Sequence, residues 1–463
     1  MRAFRGRKRL LRASERAPFD TGWVDAAGAR PYATRACFEA ACSRPDPFAL
    51  FIIDLSPLKR HRDFRLLYIG QTLSFIGSML TYVAVPYQVF ELTQSALWVG
   101  LLGSVQLVPL LIAGLLGGAL ADAVDRRRML VISEVIMAAG SLGMLINAAL
   151  PHPSAIALFA LSALMSGVNG FHRPALDALT PRLVHPDDLP AVAALGSLRF
   201  NAGAIGGPAC AGLLISHYGL SPIYIIDVIS FGASVWCLIA LREVPTPRAE
   251  EASSLARIAE GLRYARSRPE LIGTYVVDIV AMTFAMPMAL FPGMGQRWGG
   301  ASATGWLYSS MAIGSLVMTV FSGWTSRVRQ QAAVVWAAAI WGVAVVALGF
   351  VHSLPLAVGC LALAGAADMV SGLFRMTIWN QTIPDTLRGR LAGVEMISYM
   401  TGPLLGNARA GFVATSWGEQ VSIVSGGALC VLGVLACVPL LPGFVRYVKG
   451  EPPSVAAARP EGA

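Results

Sequence analysis

Apolar runs of about 20 residues, each long enough to cross a hydrocarbon core of about 30 Å as a helix, recur from near Phe64 to near Leu441. Short polar breaks separate them. The pattern predicts spans at 65–90, 96–120, 129–150, 155–179, 192–216 and 221–241, then at 271–292, 304–325, 332–350, 354–378, 391–414 and 419–441. The expected fold is an all-α polytopic membrane protein of twelve transmembrane helices, in two six-helix halves at 58–241 and 271–441. Residues 1–57 hold no apolar stretch longer than Phe48–Ile53 and are expected to form a disordered cytoplasmic extension. In the polar segment 242–270, Leu255, Ile258, Leu262 and Ala265 share one helical face, while Arg257, Glu260, Arg263 and Arg266 lie elsewhere. That spacing predicts a short amphipathic helix on the membrane surface. Residues 442–463 form an expected cytoplasmic tail.

Charge placement gives the chain its orientation. Only 14% of residues are charged, against about 25% in a soluble domain. Lys59, Arg60, Arg62, Arg126, Arg127, Arg128, Arg182, Arg242, Arg327, Arg329, Arg388, Arg390, Arg446 and Lys449 occupy alternate breaks, and the opposite breaks hold only Arg297. Loops that retain Lys and Arg are cytoplasmic, so both termini and the central loop are expected inside. The net charge of +9 therefore reports topology and contact with anionic lipid, not nucleic acid. An Arg- and Ala-rich chain with three lysines suits a high-GC bacterial genome and its cytoplasmic membrane.

Several chemistries are not indicated. No G-x-x-x-x-G-K-[ST] loop is present to cradle ATP, and neither H-E-x-x-H nor G-x-S-x-G occurs. The seven cysteines form no C-x-x-C pair, so neither a metal site nor a disulfide framework is expected. The expectation is a non-enzyme without cofactor, whose partners are a small-molecule substrate, protons and the lipid bilayer, acting as a monomer.

Distinctive features recur roughly 200 residues apart, the mark of an internal duplication. The basic loop Arg126, Arg127, Arg128 returns as Arg327 and Arg329. Arg173 ahead of Thr180-Pro181 returns as Arg375 ahead of Ile383-Pro384, and Gly207-Pro208 with Gly212 returns as Gly402-Pro403 with Gly406. Duplicated halves suit a transporter that rocks about a midplane site.

The segment Gly118-Ala-Leu-Ala-Asp122-Ala-Val-Asp125-Arg126-Arg127-Arg128 resembles the loop signature of the major facilitator superfamily at every defining position. Gly118 admits a close helix neighbour, and Asp122 can pair with Arg126 or cap the next helix. The resemblance implies a latch between the halves. Arg62 to Ser74, Val83 to Thr93, Asp278 to Pro292 and Pro384 to Arg390 resemble the enterobactin-exporter and Tap-type drug:proton antiporter branch, over about residues 58–441. Gly203, Gly207, Pro208 and Gly212, with Gly402 and Pro403 in the second half, resemble the Gly-Pro kink of that superfamily's antiporters, or else serve small-residue packing.

Ionisable groups inside a membrane need a partner or a wet cavity. Counting about 1.5 Å per residue, Asp278, Asp227 and Arg199 lie roughly 10 Å inside their spans, and Asp368 is as deep. Glu395, Arg375, Arg409, Arg173 and Asp177 lie close enough to an interface to snorkel and are expected to be structural. The resemblance places spans one, four, seven and ten around the cavity, which favours Asp278 and Asp368 over Asp227. Asp278 is the expected protonation site, with a structural ion pair to a neighbouring arginine as its alternative. Gln71, Ser74, Tyr87, Met282, Met286, Met288 and Trp379 are candidates to line a pocket, or else pack. The expected function is proton-coupled efflux of a drug-like or siderophore-like molecule. Nutrient uptake and a non-transporting sensor or scaffold are the alternatives.

Overall fold

Each apolar run folds as a helix, because only intra-segment hydrogen bonds satisfy backbone amides that hydrocarbon has cut off from water. The structure, a computed structural model, describes residues 54–123, 125–242 and 262–445. The expected N-terminal extension lies almost wholly outside these residues, as do most of the 242–270 segment and most of the tail. Twelve long helices run through the described residues: α1 (Arg62–Thr93), α2 (Ala96–Ala123), α3 (Arg126–Ala149), α4 (Ala155–Leu179), α5 (Leu189–Tyr218), α6 (Ser221–Ile239), α7 (Pro269–Ala285), α8 (Ala301–Val320), α9 (Gln330–Leu348), α10 (Leu354–Thr382), α11 (Asp385–Trp417) and α12 (Glu419–Leu440). No strand occurs among them.

Ten of the twelve, with α7 taken together with its continuation to Trp298, are long and apolar enough to cross a membrane by length and composition. The other two are α8, diluted by Ser, Thr and Gly, and α11, which carries Glu395, Asn407 and Arg409. Both pack between other helices, α8 against α5 and α10, α11 against α2 and α7. Protein neighbours there relieve the need for an apolar surface all round. The span expected as one run at 271–292 is broken instead. Helix α7 stops at Ala285, passes through a tight turn at Met288–Leu290, and resumes as a short helix at Phe291–Trp298. Pro287 has no N–H and pushes the residue before it out of the helical region, and Met286 accordingly sits at φ −85°, ψ 111°.

The packing repeats itself. In the first half α1 meets α5 and α6, α3 meets α4 and α6, and α2 meets α4; a shift of six helices carries each pair onto one in the second half. The connections repeat too, with α5–α6 and α11–α12 both turning on a positive-φ glycine, Gly219 at 77° and Gly418 at 93°.

Between the halves, α2 packs on α11 and α5 on α8. Glycines let these backbones touch. A Cβ added at Gly305 would lie 2.9 Å from the Cα of Gly212, and one at Gly100 would lie 3.1 Å from the Cα of Ala408. Ser309 Oγ donates to the Ile205 carbonyl across the α5–α8 seam at 2.8 Å. Beside it, the Tyr82 and Tyr308 rings meet edge-on at 5.5 Å, Phe291 meets Tyr308 at 5.0 Å, and Tyr308 donates to the Met288 carbonyl at 3.2 Å. These contacts all lie toward the end of the bundle that carries Gln94, Gly219, Gly300 and Gly418.

Candidate functional site

In the second half, Arg375 of α10 is buried and ion-paired with Asp278 of α7, and its Nη2 lies 3.5 Å from Asp368 Oδ1, two turns earlier on its own helix. Asp278 is 5% exposed, whereas the Asp368 side chain keeps 39% of its accessibility, which makes Asp368 the reachable carboxylate. A cavity of about 10 Å³ opens beside them, lined by Asp278, Met282, Ala338, Trp341, Asp368 and Ser371. That volume holds about one water molecule. Two carboxylates thus share one guanidinium, which cannot lose its proton. The snorkelling expected of Arg375 is not what the structure shows. Its partners are the buried Asp278 and the partly exposed Asp368, and pairing inside the bundle replaces a headgroup contact.

The first half holds a second polar centre, which joins the sequence candidates Gln71 and Ser74 to Glu134 and His172, residues that the sequence pattern did not single out. Glu134 of α3 is fully buried, and its carboxylate accepts Gln71 Nε2 of α1 at 2.8 Å and Ser74 Oγ of α1 at 3.2 Å. It also meets His172 Nε2 of α4 at 3.0 Å, and Gln71 reaches on to Ser234 Oγ of α6 at 3.2 Å. The duplication relates the two centres position by position. Gln71 is the tenth residue of α1, as Asp278 is of α7, and Glu134 is the ninth of α3, as Ala338 is of α9. His172 precedes Pro181 by the nine positions that separate Arg375 from Pro384. Counting from those prolines, rather than pairing Arg173 with Arg375, was the signal available in the sequence.

The remaining candidates lie apart from both centres. Asp227 of α6 is fully buried and accepts Thr81 Oγ1 at 2.7 Å and Ser141 Oγ at 2.6 Å, both on Oδ2. Arg199 stacks over the Phe75 ring, 5.9 Å from its centroid. Arg409 donates to the Ser422 carbonyl at 2.8 Å and to Ser425 Oγ at 2.7 Å, tying α11 to the first turns of α12 in a structural role. Of the residues expected to line a pocket, Gln71 and Ser74 are taken up by Glu134, and Trp379 Nε1 donates to Thr274 Oγ1 at 2.8 Å. Tyr87 and Met286 are buried in the main apolar core, and Met282 borders the cavity beside Asp278.

In the loop motif, Asp125 caps α3, accepting the backbone N–H groups of Arg127 at 2.9 Å and Arg128 at 3.4 Å. Arg127 donates to the last carbonyls of α6, Leu238 at 2.8 Å and Ile239 at 2.5 Å. It fastens two helices of the same half. Arg126 is buried at the start of α3, and the Asp122 side chain lies outside the described residues, as does any contact of Gly118. In the kink motif, Gly203 and Gly207 of α5 seat Phe75 and Met79 of α1, and Gly212 touches α8. Gly402 of α11 seats Met282 of α7 in the same manner, with Pro403 inside the helix as Pro208 is in α5.

A family model described as transmembrane secretion effector matches residues 52–443. The enterobactin exporter EntS of Shigella dysenteriae serotype 1 (strain Sd197) is 26% identical over 411 residues, covering 88% of this chain and 98% of that protein. The EntS of Escherichia coli (strain K12) matches with the same identity and coverage. Among solved structures, a bacterial homolog of the human lysosomal transporter Spinster, inward-facing and unoccupied, aligns with a TM-score of 0.68 at 13% identity, over 85% of this chain and 98% of that one. A bacterial homologue of the iron transporter ferroportin, in its inward-facing state, aligns with a TM-score of 0.63 at 15% identity, over 83% and 99%. These structural likenesses speak to the fold alone.

Proposed function

Because the chain belongs to the transmembrane secretion effector family of the major facilitator superfamily, we propose that it is a secondary active transporter exporting a siderophore-like or drug-like small molecule against an inward flow of protons. The observation that carries this reading is the cluster of Asp278, Arg375 and Asp368 across α7 and α10. One guanidinium facing two carboxylates leaves a net negative charge that a single bound proton cancels. Proton arrival frees Arg375 from one carboxylate, and the contact between α7 and α10 loosens or tightens accordingly. Such a change, made only in one orientation of the halves, couples proton binding to the rocking of the bundle. The similarity to enterobactin exporters supports the outward direction and the substrate class.

With both termini in the cytoplasm, where the arginine-bearing loops belong, the glycine-seamed end faces outside. The described conformation is then closed to the exterior, and the halves part at the cytoplasmic end to receive substrate. The test uses inside-out vesicles energised with a pH gradient and challenged with catechol siderophores, macrolides, tetracyclines and dyes. At least one compound is expected to dissipate the gradient with wild type and not with Asp278→Asn at equal expression. Dissipation that survives in Asp278→Asn overturns the role of that residue, and no response to any compound overturns proton-coupled export.

A further inference from the structure

We infer that Glu134 and His172 form a second proton-binding site, in the first half of the bundle, which takes up and releases one proton between them. His172 occupies the duplicate position of Arg375, and Glu134 that of Ala338, which borders the second-half cluster, so the cationic member here is an imidazole where the other half has a guanidinium. A guanidinium stays charged at any physiological pH, whereas an imidazole gains and loses its proton there. Glu134 accepts from Gln71 and Ser74 and faces His172 through Nε2, which leaves Nδ1 as the ring nitrogen not engaged by the carboxylate. The exchanging proton therefore belongs on His172 Nδ1. With Nε2–H donated to Glu134, the pair carries one negative charge; a proton added at Nδ1 leaves a neutral imidazolium–carboxylate pair, and its departure restores the charge.

Access fits that assignment. The Glu134 side chain is wholly enclosed, while His172 keeps 11% of its side-chain accessibility, so a proton reaches the pair through the histidine. The surroundings contain few other charges. From α1 the pair meets Gln71 and Ser74; Gln71 in turn reaches Ser234 of α6, with Asp227 two turns before it on that helix and close enough to feel the Glu134 charge. On the pair's own helices, Arg126 stands two turns before Glu134, and Arg173, which is exposed, follows His172. Four helices converge on this one carboxylate or its partners, so a change of charge there acts on the packing of α1, α3, α4 and α6 together.

The inference needs the transport reading only for its consequence, not for the titration itself. The test is nuclear magnetic resonance of the full chain in lipid nanodiscs with isotope-labelled histidine rings, the His172 signal being the one missing from His172→Gln. That signal is expected to titrate between about pH 5 and 8.5, and Glu134→Gln is expected to move its midpoint by about one pH unit or more. Should Glu134→Gln not fold, Glu134→Asp, which keeps the charge but shortens its reach, is expected to move the midpoint as well. A His172 signal that does not titrate in this range overturns the site, and so does a midpoint indifferent to residue 134. Failure of the export reading, with no compound moving protons in vesicles, leaves this titration in place; absence of the titration leaves export through Asp278 in place.

Discussion

Gln71 and Asp278 hold the same position in α1 and α7, and His172 and Arg375 the same position in α4 and α10, yet the two halves place their carboxylates differently. In the second half the acids stand on α7 and α10 and clasp a guanidinium directly, leaving a water-sized cavity where Ala338 of α9 faces them. In the first half the acid stands on α3, at the counterpart of Ala338, and its side chain reaches the space that the cavity occupies in the other half. The repeated packing brings the same helices together in both halves. The residues at the meeting point decide whether it is an ion pair with a void or a filled, hydrogen-bonded network.

The largest effect is expected where the comparison is sharpest. Arg375→Gln leaves Asp278 without its cation in a buried setting, a loss of about 3–5 kcal/mol for a buried pair broken on one side. Thermal unfolding in nanodiscs measures it, and proton-coupled transport should vanish with it. His172→Gln, at the duplicate position, removes one hydrogen bond of the several on Glu134 and is expected to lower stability by about 1–3 kcal/mol. If the two variants unfold alike, the halves do not differ in the way their geometry implies.

The glycine seams are the duplicate contact between halves, and they should respond as twins. Gly305→Leu at the α5–α8 seam and Gly100→Leu at the α2–α11 seam each force a side chain into touching backbones, which disfavours the closed end by about 1–3 kcal/mol. Both variants are expected to slow transport while leaving the fold intact by circular dichroism. A slow variant paired with a normal one means that only one seam opens during the cycle.

Next in size is the loop arginine. Arg127 is partly exposed, so its two bonds to the end of α6 are discounted for solvent, and Arg127→Ala is expected to lower stability by about 1–2 kcal/mol. In the second-half basic loop Arg329 is exposed just before α9, and Arg329→Ala should fall within about 0.5 kcal/mol of wild type. Equal losses in the two unfolding curves contradict the asymmetry.

How much of this the sequence carries depends on the distance between partners. Helix positions follow from apolar run length, which is local, and the break in α7 follows from Pro287, which is local too, although the run 271–292 hides it from a hydropathy reading. The Asp125 cap is likewise a matter of neighbours in the chain. The Glu134 centre is not, because its partners Gln71, His172 and Ser234 sit on three other helices. A single glutamate near one end of an apolar run looks like a snorkelling residue until the helices that enclose it are known. Arg375 misled in the same way: its distance from the end of α10 suggests an interface, and only the packing of α7 against α10 brings Asp278 to it.

The smallest effect concerns Asp227, a fully buried first-half carboxyl that accepts from the hydroxyls of Thr81 and Ser141, whereas Asp278 faces a guanidinium. Thr81 and Ser141 both donate to one oxygen, Oδ2, an acceptor role that an amide oxygen fills equally well. Asp227→Asn is therefore expected to change stability by less than about 1 kcal/mol, while Asp227→Ala strands two buried hydroxyls at about 1–3 kcal/mol each. Thermal unfolding of the two variants separates these outcomes. If Asp227→Asn is as damaging as Asp227→Ala, what the protein needs at this position is the carboxyl's charge or proton. The first half would then hold two ionisable centres against the one cluster of the second, and the difference between the halves would be one of number as well as of kind.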